Sequence, residues 1–356
     1  MRPRSDAKGA RILVSYAVHH PHHHRTAPER RHHWWFIALA AVVIAVAASV
    51  TVVVGGGAIY AGSVASSFDS HVSHIQRAFP PASTRPAATQ TGAMNILVLG
   101  SDSRGAPTSV GATGISNQRA DTMMLVHVDA DRKNVYVMSI MRDSWVAIPG
   151  NGTAKINAAL AWGGTPLVVQ TVEQLLGTRI DHVAIIDFTG LKAMTNAIGG
   201  VDVDSPVAFT TVKSPHYSYV KGMNHLDGDQ ALAFARERYA FPTADYQRVA
   251  DQQALMRAFG AKLLSFSVLS DPGKLTSFAA ATGSYVSVDQ GFSLQAMLGL
   301  AASMQLSGLS SIHTFTLPTA GTGTSADGQS IVNLDTGALV QLRAALANDT
   351  LSSFAG

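Results

Sequence analysis

Short apolar runs separated by polar breaks begin near residue 94 and predict the strands of an α/β domain. Ile96–Leu99 is followed by Gly100, as expected where a buried strand ends in a loop. Met123–Asp129 and Asn134–Ile140 are two further apolar runs, and a tight polar turn joins them. The segment HVAIIDF at 182–188 has the same character. The pattern therefore predicts four strands that end at polar loops.

Between and after these strands, apolar residues recur at helical spacing. Residues 158–162 and 165–176 predict two helical segments, and GLKAMTNAIGG predicts a helix that its glycine pair ends. Asp227 stands three residues before Gln230, which is the capping-box spacing at a helix start, and Asp245 can cap a long helix that reaches about Phe266. Strands and helices in this order predict a sheet covered on both faces. The apolar face of the second segment consists of Leu167, Val168, Thr171, Val172 and Leu175.

Residues 34–62 contain no charged residue and predict a membrane anchor. The run exceeds the roughly 20 apolar residues that cross a bilayer. It is also too long and too far from Met1 for a cleaved signal peptide. Arginines at 25, 30 and 31 precede the run and a tryptophan pair marks its edge, so the N-terminus is predicted to stay in the cytoplasm. The sequence thus predicts a single-pass protein of the cell membrane whose remaining chain is extracytoplasmic.

These features divide the chain into five predicted parts. Residues 1–33 form a basic, His-rich cytoplasmic tail, and 34–62 form the anchor. Residues 63–92 are rich in Ser, Pro and Ala and predict an extracytoplasmic stalk. The folded domain is predicted to cover 93–349, with a short C-terminal tail at 350–356.

Charge is distributed unevenly, and this excludes one class of function. Residues 1–33 hold seven of the 26 Lys and Arg residues but two of the 23 Asp and Glu residues, so the remainder has 19 basic and 21 acidic residues. A DNA-binding regulator would need a basic cytosolic domain, so we predict no nucleic-acid partner. The HHPHHH segment at 19–24 suits metal or nucleic acid, but a charged tail beside a membrane is the commoner case.

Arginine and aspartate residues gather where the predicted strands and helices end. Guanidinium groups match phosphate oxygens in bidentate fashion, and carboxylates among them suit Mg²⁺ together with a substrate phosphate. Structural ion pairs use the same residue types, so spacing alone leaves both interpretations open. The residues are Asp102 and Arg104, Arg119 and Asp121, Arg142 and Asp143, Arg236 and Arg238, and Arg248 with Gln252.

Eight motifs in one order resemble those of the LytR-CpsA-Psr family. They cover residues 93 to about 255 and are NILVLGSDSR, QRADTMMLVHVD, SIMRDSWVAIPG, KINAALAWGG, DFTGL, NAIGGVDV, LDGDQALAFARER and DYQRVADQQ. The close of the chain, FTLPTAGTG followed by SIVNLDTGALVQLRAAL, also resembles the end of that family. The resemblance implies a three-layer α/β/α domain with a mixed central sheet, behind one transmembrane helix. It implies an Mg²⁺-dependent phosphotransferase that moves a glycopolymer from a polyprenyl pyrophosphate carrier to peptidoglycan.

The resemblance also implies roles for individual residues. Asp102 and Asp121 would coordinate Mg²⁺, and Asp121 would accept the proton of the attacking hydroxyl. Lys155 and Asn157 would line the acceptor side, although a solvated lysine at a helix start is an equal alternative. The catalytic residues would be Asp121, Arg119 and Arg142, and the pyrophosphate would be bound by Arg119, Arg142, Arg236, Arg238, Arg248 and Gln252.

Two positions depart from the family pattern. Met141 replaces the usual proline, while the neighbouring Arg142 and Asp143 are retained. Asp251 stands where many members have arginine, and we expect its negative charge to weaken phosphate binding or to alter the demand for metal. Hydrolysis of the pyrophosphate by water, and a non-catalytic role in wall binding or regulation, are the alternative functions.

Overall fold

A seven-stranded mixed sheet organises the computed structural model, which describes residues 72–101, 120–241, 245–263, 277–278, 280, 283, 285–305 and 311–354. Its strands are β1 (Ser73–Ile75), β2 (Met94–Ser101), β3 (Ala120–Val128), β4 (Val135–Ile140), β7 (His182–Asp187), β12 (Val286–Asp289) and β13 (Ile312–Thr316). The spatial order is β1-β12-β7-β2-β3-β4-β13. The β1–β12, β7–β2 and β4–β13 pairs are parallel, and the other pairs are antiparallel.

Six helices and four small two-stranded sheets complete the described fold. The helices are α1 (Ala158–Leu176), α2 (Phe188–Ala197), α3 (Gly228–Arg236), α4 (Asp245–Leu263), α5 (Leu294–Ser303) and α6 (Thr336–Asn348). The small antiparallel pairs are β5 (Trp145–Ile148) with β6 (Gly152–Lys155), β8 (Val201–Ser205) with β11 (Gly222–Leu226), β9 (Phe209–Thr210) with β10 (Ser218–Tyr219), and β14 (Thr319–Thr324) with β15 (Ser330–Leu334).

Alternation along β2 shows why the sheet is covered on both faces. Successive side chains of a strand point to opposite faces, so Ile96 and Val98 belong to one hydrophobic core and Leu97 and Leu99 to the other. Each fully buried aliphatic or aromatic side chain stabilises the fold by roughly 1.5 to 3 kcal/mol. The first core also contains Phe234 of α3 and Leu255 and Phe259 of α4, and the second contains Val168 and Val172 of α1 and Leu342 of α6.

The sequence-predicted division of α1 is confirmed. The helical dihedral angles are interrupted at Gly163 and Gly164, and Gly164 has φ 63° and ψ −161°. A side chain at that positive φ would be strained, which explains the glycine. Pro166 lies two residues after Gly164, in the first turn of the second segment, where its missing N–H removes no helical hydrogen bond.

Other predicted elements also match the described fold. β2, β3, β4 and β7 lie at the predicted positions, and α2 ends before the glycine pair at 199–200. Asp227 accepts a hydrogen bond from the backbone N–H of Gln230, and the Gln230 side chain accepts one from the backbone N–H of Asp227. The predicted capping box is thus present. The long helix begins at Asp245, while its predicted end at Phe266 lies outside the described residues.

The structure corrects the predicted limits of the domain. Within the segment predicted as a stalk, Ser73–Ile75 forms an edge strand of the central sheet, paired with β12. Within the predicted C-terminal tail, Leu351 is buried in the second core. The β1–β12 pairing joins residues about two hundred positions apart, so local composition gave no sign of it.

None of the helices within the described ranges is both long and apolar enough to cross a membrane. The predicted anchor at 34–62 and the predicted basic tail lie outside those ranges. Both remain predictions.

Candidate functional site

A cavity of about 490 Å³ lies beyond the end of β4, against α3, α4 and the loop between β9 and β10. Arg142 follows β4, Arg236 occupies the last turn of α3, and Arg248 and Gln252 are one turn apart on α4. With Arg238, two residues after Arg236, the cavity therefore brings together four arginines from three separate segments of the sequence. Its lining consists of Arg142, Thr211, Lys213, Ser214, Pro215, Tyr217, Asp229, Leu232, Ala233, Arg236, Glu237, Arg238, Tyr239, Arg248 and Gln252.

The cavity has an excess of positive charge. Among the described residues that line it, four arginines and Lys213 face two acidic residues. Of those two, Asp229 forms an ion pair with Lys192, and Glu237 accepts hydrogen bonds from backbone amides. The lining therefore suits a polyanion that offers several oxygen atoms.

Glu237, which sequence reasoning missed, fixes the local backbone at the end of α3. It is buried, and its Oε1 accepts hydrogen bonds from the backbone N–H groups of Arg238, Tyr239 and Ala240. Its Oε2 accepts a hydrogen bond of 2.8 Å from the backbone N–H of Val212. Glu237 thus ties the β9–β10 loop to the segment that carries the arginines. An acidic residue between two arginines is the only sequence signal for it.

The arginines differ in their surroundings. Arg248 is 7% exposed, whereas Arg236 is exposed. Arg238 is half-buried, donates a hydrogen bond of 2.8 Å to the Tyr239 hydroxyl and lies 4.7 Å from the centre of that ring. This hydrogen bond, together with the charges of Arg238 and Lys213, lowers the pKa of Tyr239. The cavity therefore has one buried guanidinium and a solvated cationic rim.

Gln252 connects the two helices that carry the arginines. Its side-chain amide donates a hydrogen bond of 3.1 Å to the carbonyl oxygen of Ala235 in α3. Because Gln252 follows Arg248 by one turn, this contact positions Arg248 relative to the end of α3. Its predicted contact with pyrophosphate remains a prediction.

A second, narrow cavity lies beside the first and shares Arg142, Arg248 and Gln252 with it. Thr122 of β3 also lines this cavity, so the neighbouring Asp121 belongs to a strand that reaches the site. The side-chain role of Asp121 stays a prediction. Asp102, Arg104 and Arg119 lie outside the described residues. The remaining lining residues are Met123, Ser139, Ile140, Met141, Asp143 and Val249.

Asp143 forms ion pairs with residues of the predicted site. Its carboxylate lies 3.6 Å from Arg142 Nε and 3.3 Å from Lys155 Nζ. The Asn157 backbone N–H donates to the Arg142 carbonyl oxygen, and its side chain is buried. Lys155 and Asn157 therefore contact the segment that carries Arg142 and Asp143, and Lys155 is ion-paired there. The acceptor role of these two residues stays a prediction.

The position of Asp251 corrects an expectation from the sequence. Its side chain is fully buried and lines neither cavity, and its Oδ1 accepts a hydrogen bond of 2.9 Å from Gln247. Burial, with a smaller contribution from the charge of Glu237, raises the pKa of Asp251 to about 7. The residue is therefore about half protonated at pH 7, and its carboxyl group does not lie on the wall of either cavity.

Comparison with known proteins identifies the family. The model of the LytR_cpsA_psr family matches residues 61–348, which is most of the chain. The chain belongs to this family. The resemblance noted from the motifs is thus confirmed.

Curated relatives have similar sequences over about half of the chain. The polyisoprenyl-teichoic acid–peptidoglycan teichoic acid transferase TagU of Bacillus mycoides is 36% identical over 204 residues, covering 57% of this chain and 63% of the relative. The protein of the same name from Enterococcus faecalis is 35% identical over 179 residues, covering 50% and 56%. This family member therefore aligns with less than two thirds of the length of these relatives.

Solved structures share the fold. The crystal structure of B. subtilis TagV matches with a TM-score of 0.58 and 26% identity, covering 73% of this chain and 98% of that one. A structure of TagT bound to LIIa-WTA matches with a TM-score of 0.56 and 26% identity, covering 79% and 99%. The mixed α/β fold with its large central sheet is thus the fold of this family.

Proposed function

We propose that this protein is a membrane-anchored, extracytoplasmic phosphotransferase that moves a glycopolymer from a polyprenyl pyrophosphate carrier to peptidoglycan. The observation that carries the proposal is the convergence of Arg142, Arg236, Arg238 and Arg248 on one cavity. The names of the curated relatives, which are transferases of teichoic acid to peptidoglycan, support it.

The arginines supply what a pyrophosphate substrate needs. A guanidinium binds phosphate through two parallel hydrogen bonds, and this interaction strengthens where water is excluded. Arg248 is the most enclosed of the four and would bind the phosphate that enters furthest, while Arg236 and Arg238 would bind at the rim. Donors held in place before the reaction stabilise the charge that develops as the substrate reacts.

The proposed reaction exchanges one phosphorus–oxygen bond for another. A peptidoglycan hydroxyl attacks the phosphorus that bears the glycopolymer, and the bond from that phosphorus to the bridging oxygen breaks. The bridging oxygen leaves with the electron pair as part of the polyprenyl phosphate. The hydroxyl proton passes to the carboxylate that we assign to Asp121. Arg142 and Arg119 would hold the reacting phosphate in line.

Asp102 and Asp121 are the residues that would hold Mg²⁺ in this proposal. Carboxylates combined with substrate phosphate oxygens are a ligand set that Mg²⁺ accepts. The ion, when bound, would neutralise part of the charge on the pyrophosphate. The position of Asp121 in β3, next to Thr122 of the narrow cavity, is consistent with this role.

The experiment that tests the proposal identifies the product. The full-length protein in detergent is incubated with a synthetic polyprenyl pyrophosphate-linked sugar, Mg²⁺ and peptidoglycan fragments, and the fragments are analysed by mass spectrometry. We expect sugar phosphate joined to the fragment, with no such product when the fragments are omitted. Release of free sugar phosphate alone would show a hydrolase and overturn the transferase assignment. No turnover of the carrier would contradict catalysis altogether.

A further inference from the structure

A second cluster of functional side chains lies at the other end of the central sheet from the cavity. His127 is near the end of β3, five residues beyond Thr122, which corresponds to about 17 Å along the strand. Asp129 follows β3, and Asp349 follows α6. One ligand atom from each of these three residues lies within 4.8 Å of the others.

The hydrogen bonds of His127 determine which ring nitrogen carries a proton. Asn95 donates its side-chain N–H groups to Thr178 Oγ1 at 3.1 Å and to the Arg179 carbonyl oxygen at 2.9 Å, which leaves its Oδ1 as an acceptor. That oxygen lies 2.8 Å from His127 Nδ1, so Nδ1 is the donor. The other nitrogen, Nε2, faces the two carboxylates, as in histidines that bind metal through one nitrogen and donate from the other.

The carboxylates around Nε2 have an unused ligand atom. Asp129 is 9% exposed, and its Oδ1 is buried with no hydrogen-bond partner in the described part of the chain. This oxygen lies 3.7 Å from His127 Nε2, while Oδ1 of Asp349 lies 2.9 Å from the same nitrogen. A buried carboxylate oxygen without a partner is costly, and protonation, a water molecule or a bound cation removes that cost. The imidazole nitrogen and the second carboxylate beside it favour the cation here.

We propose that His127, Asp129 and Asp349 bind a divalent transition-metal ion, with Zn²⁺ as the best match. One imidazole nitrogen and two carboxylate oxygens are donors that Zn²⁺ accepts at about 2.0 to 2.2 Å, with a fourth position for water. Small side-chain rotations would bring the three atoms to the separation of about 3.4 Å that tetrahedral coordination requires. The two negative charges of the carboxylates would balance the charge of the ion.

The location indicates what the ion would do. Asp349 is also tied to the sheet by its Oδ2, which accepts a hydrogen bond of 3.0 Å from the Ala130 backbone N–H. A metal at this point would join the end of α6 to β3. It would stabilise the fold without taking part in the chemistry of the arginine cavity, so the site is independent of the proposed function.

The test measures metal binding by the folded protein. Full-length protein in detergent is titrated with Zn²⁺ while its melting temperature is recorded, and with Co²⁺ while visible absorption is recorded. The background chain has the N-terminal histidine tract replaced, because a run of histidines would bind the same ions: His19→Ser, His20→Ser, His22→Ser, His23→Ser and His24→Ser. We expect Zn²⁺ at a hundredfold excess over its Kd to raise Tm by roughly 5 to 10 °C.

Zn²⁺ binding is then compared between two conservative variants of the proposed ligands and one matched control variant. Asp129→Asn keeps an acceptor for the Asn134 side chain, and asparagine, like aspartate, adopts the positive φ of 56° found at Asp349, so Asp349→Asn keeps the backbone. Each should weaken Zn²⁺ binding at least tenfold. Asp202→Asn, at an exposed His–Asp pair, should leave binding unchanged. Absence of a Tm shift and of Co²⁺ absorption in the background chain, or equal binding by Asp129→Asn, would overturn the proposal and leave a His127–Asp349 ion pair alone.

Discussion

At the scale of single residues, Arg248 is buried and Arg236 is exposed. We therefore expect substitution of each cavity arginine by lysine to reduce catalytic efficiency by a different amount. Lysine keeps the charge but loses the planar fork that binds two phosphate oxygens. Each of Arg236→Lys, Arg238→Lys and Arg248→Lys should cost about 1 to 3 kcal/mol in transition-state stabilisation, with the largest loss for Arg248→Lys. The measurement is kcat/KM for transfer, with a melting curve for each variant.

Arg343 supplies the matched control for these substitutions. Its Nε donates to the Leu175 carbonyl oxygen at an exposed position outside the cavity, so Arg343→Lys should leave kcat/KM unchanged. Double substitutions within the cavity should be non-additive, since the arginines would bind one ligand. Near-normal turnover in all three cavity variants would mean that the arginines do not hold the phosphate.

Asp251 predicts a pH dependence of stability. Its pKa is raised from the ordinary 3.8 to about 7, so between these values the folded protein binds more protons than the unfolded chain. The free energy of unfolding should therefore fall as pH rises from about 4 to 7, by at most roughly 4 kcal/mol. Asp251→Asn should remove this fall, because Asn stays neutral and still accepts from Gln247. Chemical denaturation at pH 4 and pH 8 measures it.

The difference in unfolding free energy between Asp251→Asn and the parent should change between pH 4 and pH 8. At pH 4, Asp251→Asn and the parent should have similar stability, and at pH 8 the variant should be the more stable. Asp131→Asn, at an exposed position, controls for the loss of one surface charge. A variant that is less stable than the parent at pH 8 would show that the ionised carboxylate is satisfied in the folded state.

At the scale of elements, the sequence predicted what depends on local pattern. The strands β2, β3 and β4, the break in α1 and the capping box of α3 all follow from spacing within a few residues. The edge strand β1 was missed because its pairing with β12 joins residues about two hundred positions apart. The pairing of two strands so far apart in the sequence produces no pattern within either strand from which it could be predicted.

Sequence patterns predicted some residues of the candidate site and missed those that no local pattern or motif marks. Arg142, Arg236, Arg238 and Arg248 were found from residue type and family motif, and the fold brings them together. Lys213 was missed because it stands on the β9–β10 loop, in a segment with no regular pattern and no matching motif. Asp251 was misplaced for a different reason. Asp251 directly precedes Gln252, so its side chain leaves the helix about 100° around the axis from the Gln252 side chain, and Asp251 is buried while Gln252 lines the cavity.

Substitution of Arg85 measures how much the contacts of the segment before β2 contribute to the stability of the domain. Its guanidinium lies 2.7 Å from Glu173 Oε1 and stacks on Phe79, and Glu173 is fully buried. Arg85→Ala would leave that carboxylate buried without its cation, which should cost about 3 to 5 kcal/mol of unfolding free energy. Urea denaturation of the full-length protein measures the change.

A neighbouring arginine on the same region serves as control. Arg179 donates to the Pro86 carbonyl oxygen at 3.3 Å and forms no ion pair with a buried acidic residue of the described ranges, so Arg179→Ala should cost about 1 kcal/mol. Equal stability of Arg85→Ala and the parent would indicate that the predicted stalk is not held on the domain in solution.

At the scale of the whole molecule, the anchor prediction has a direct consequence for topology. The arginines before residue 34 should keep the N-terminus in the cytoplasm, so alkaline phosphatase fused after Gly356 should be active only outside it. Replacing Arg25, Arg30 and Arg31 by serine should produce mixed orientation and lower activity. Activity of a reporter that functions only in the cytoplasm, fused at the same point, would contradict the predicted topology.

The central claim is that the arginine cavity binds the pyrophosphate of a lipid carrier, and equilibrium binding tests it most directly. The Kd of a short prenyl pyrophosphate is measured by calorimetry on the full-length protein, on Arg248→Lys and on Arg343→Lys. We predict binding by the parent and by Arg343→Lys with the same Kd, binding at least tenfold weaker by Arg248→Lys, and weaker binding of the prenyl monophosphate by all three. Equal Kd values for the parent and Arg248→Lys, or no binding by the parent, would contradict the claim.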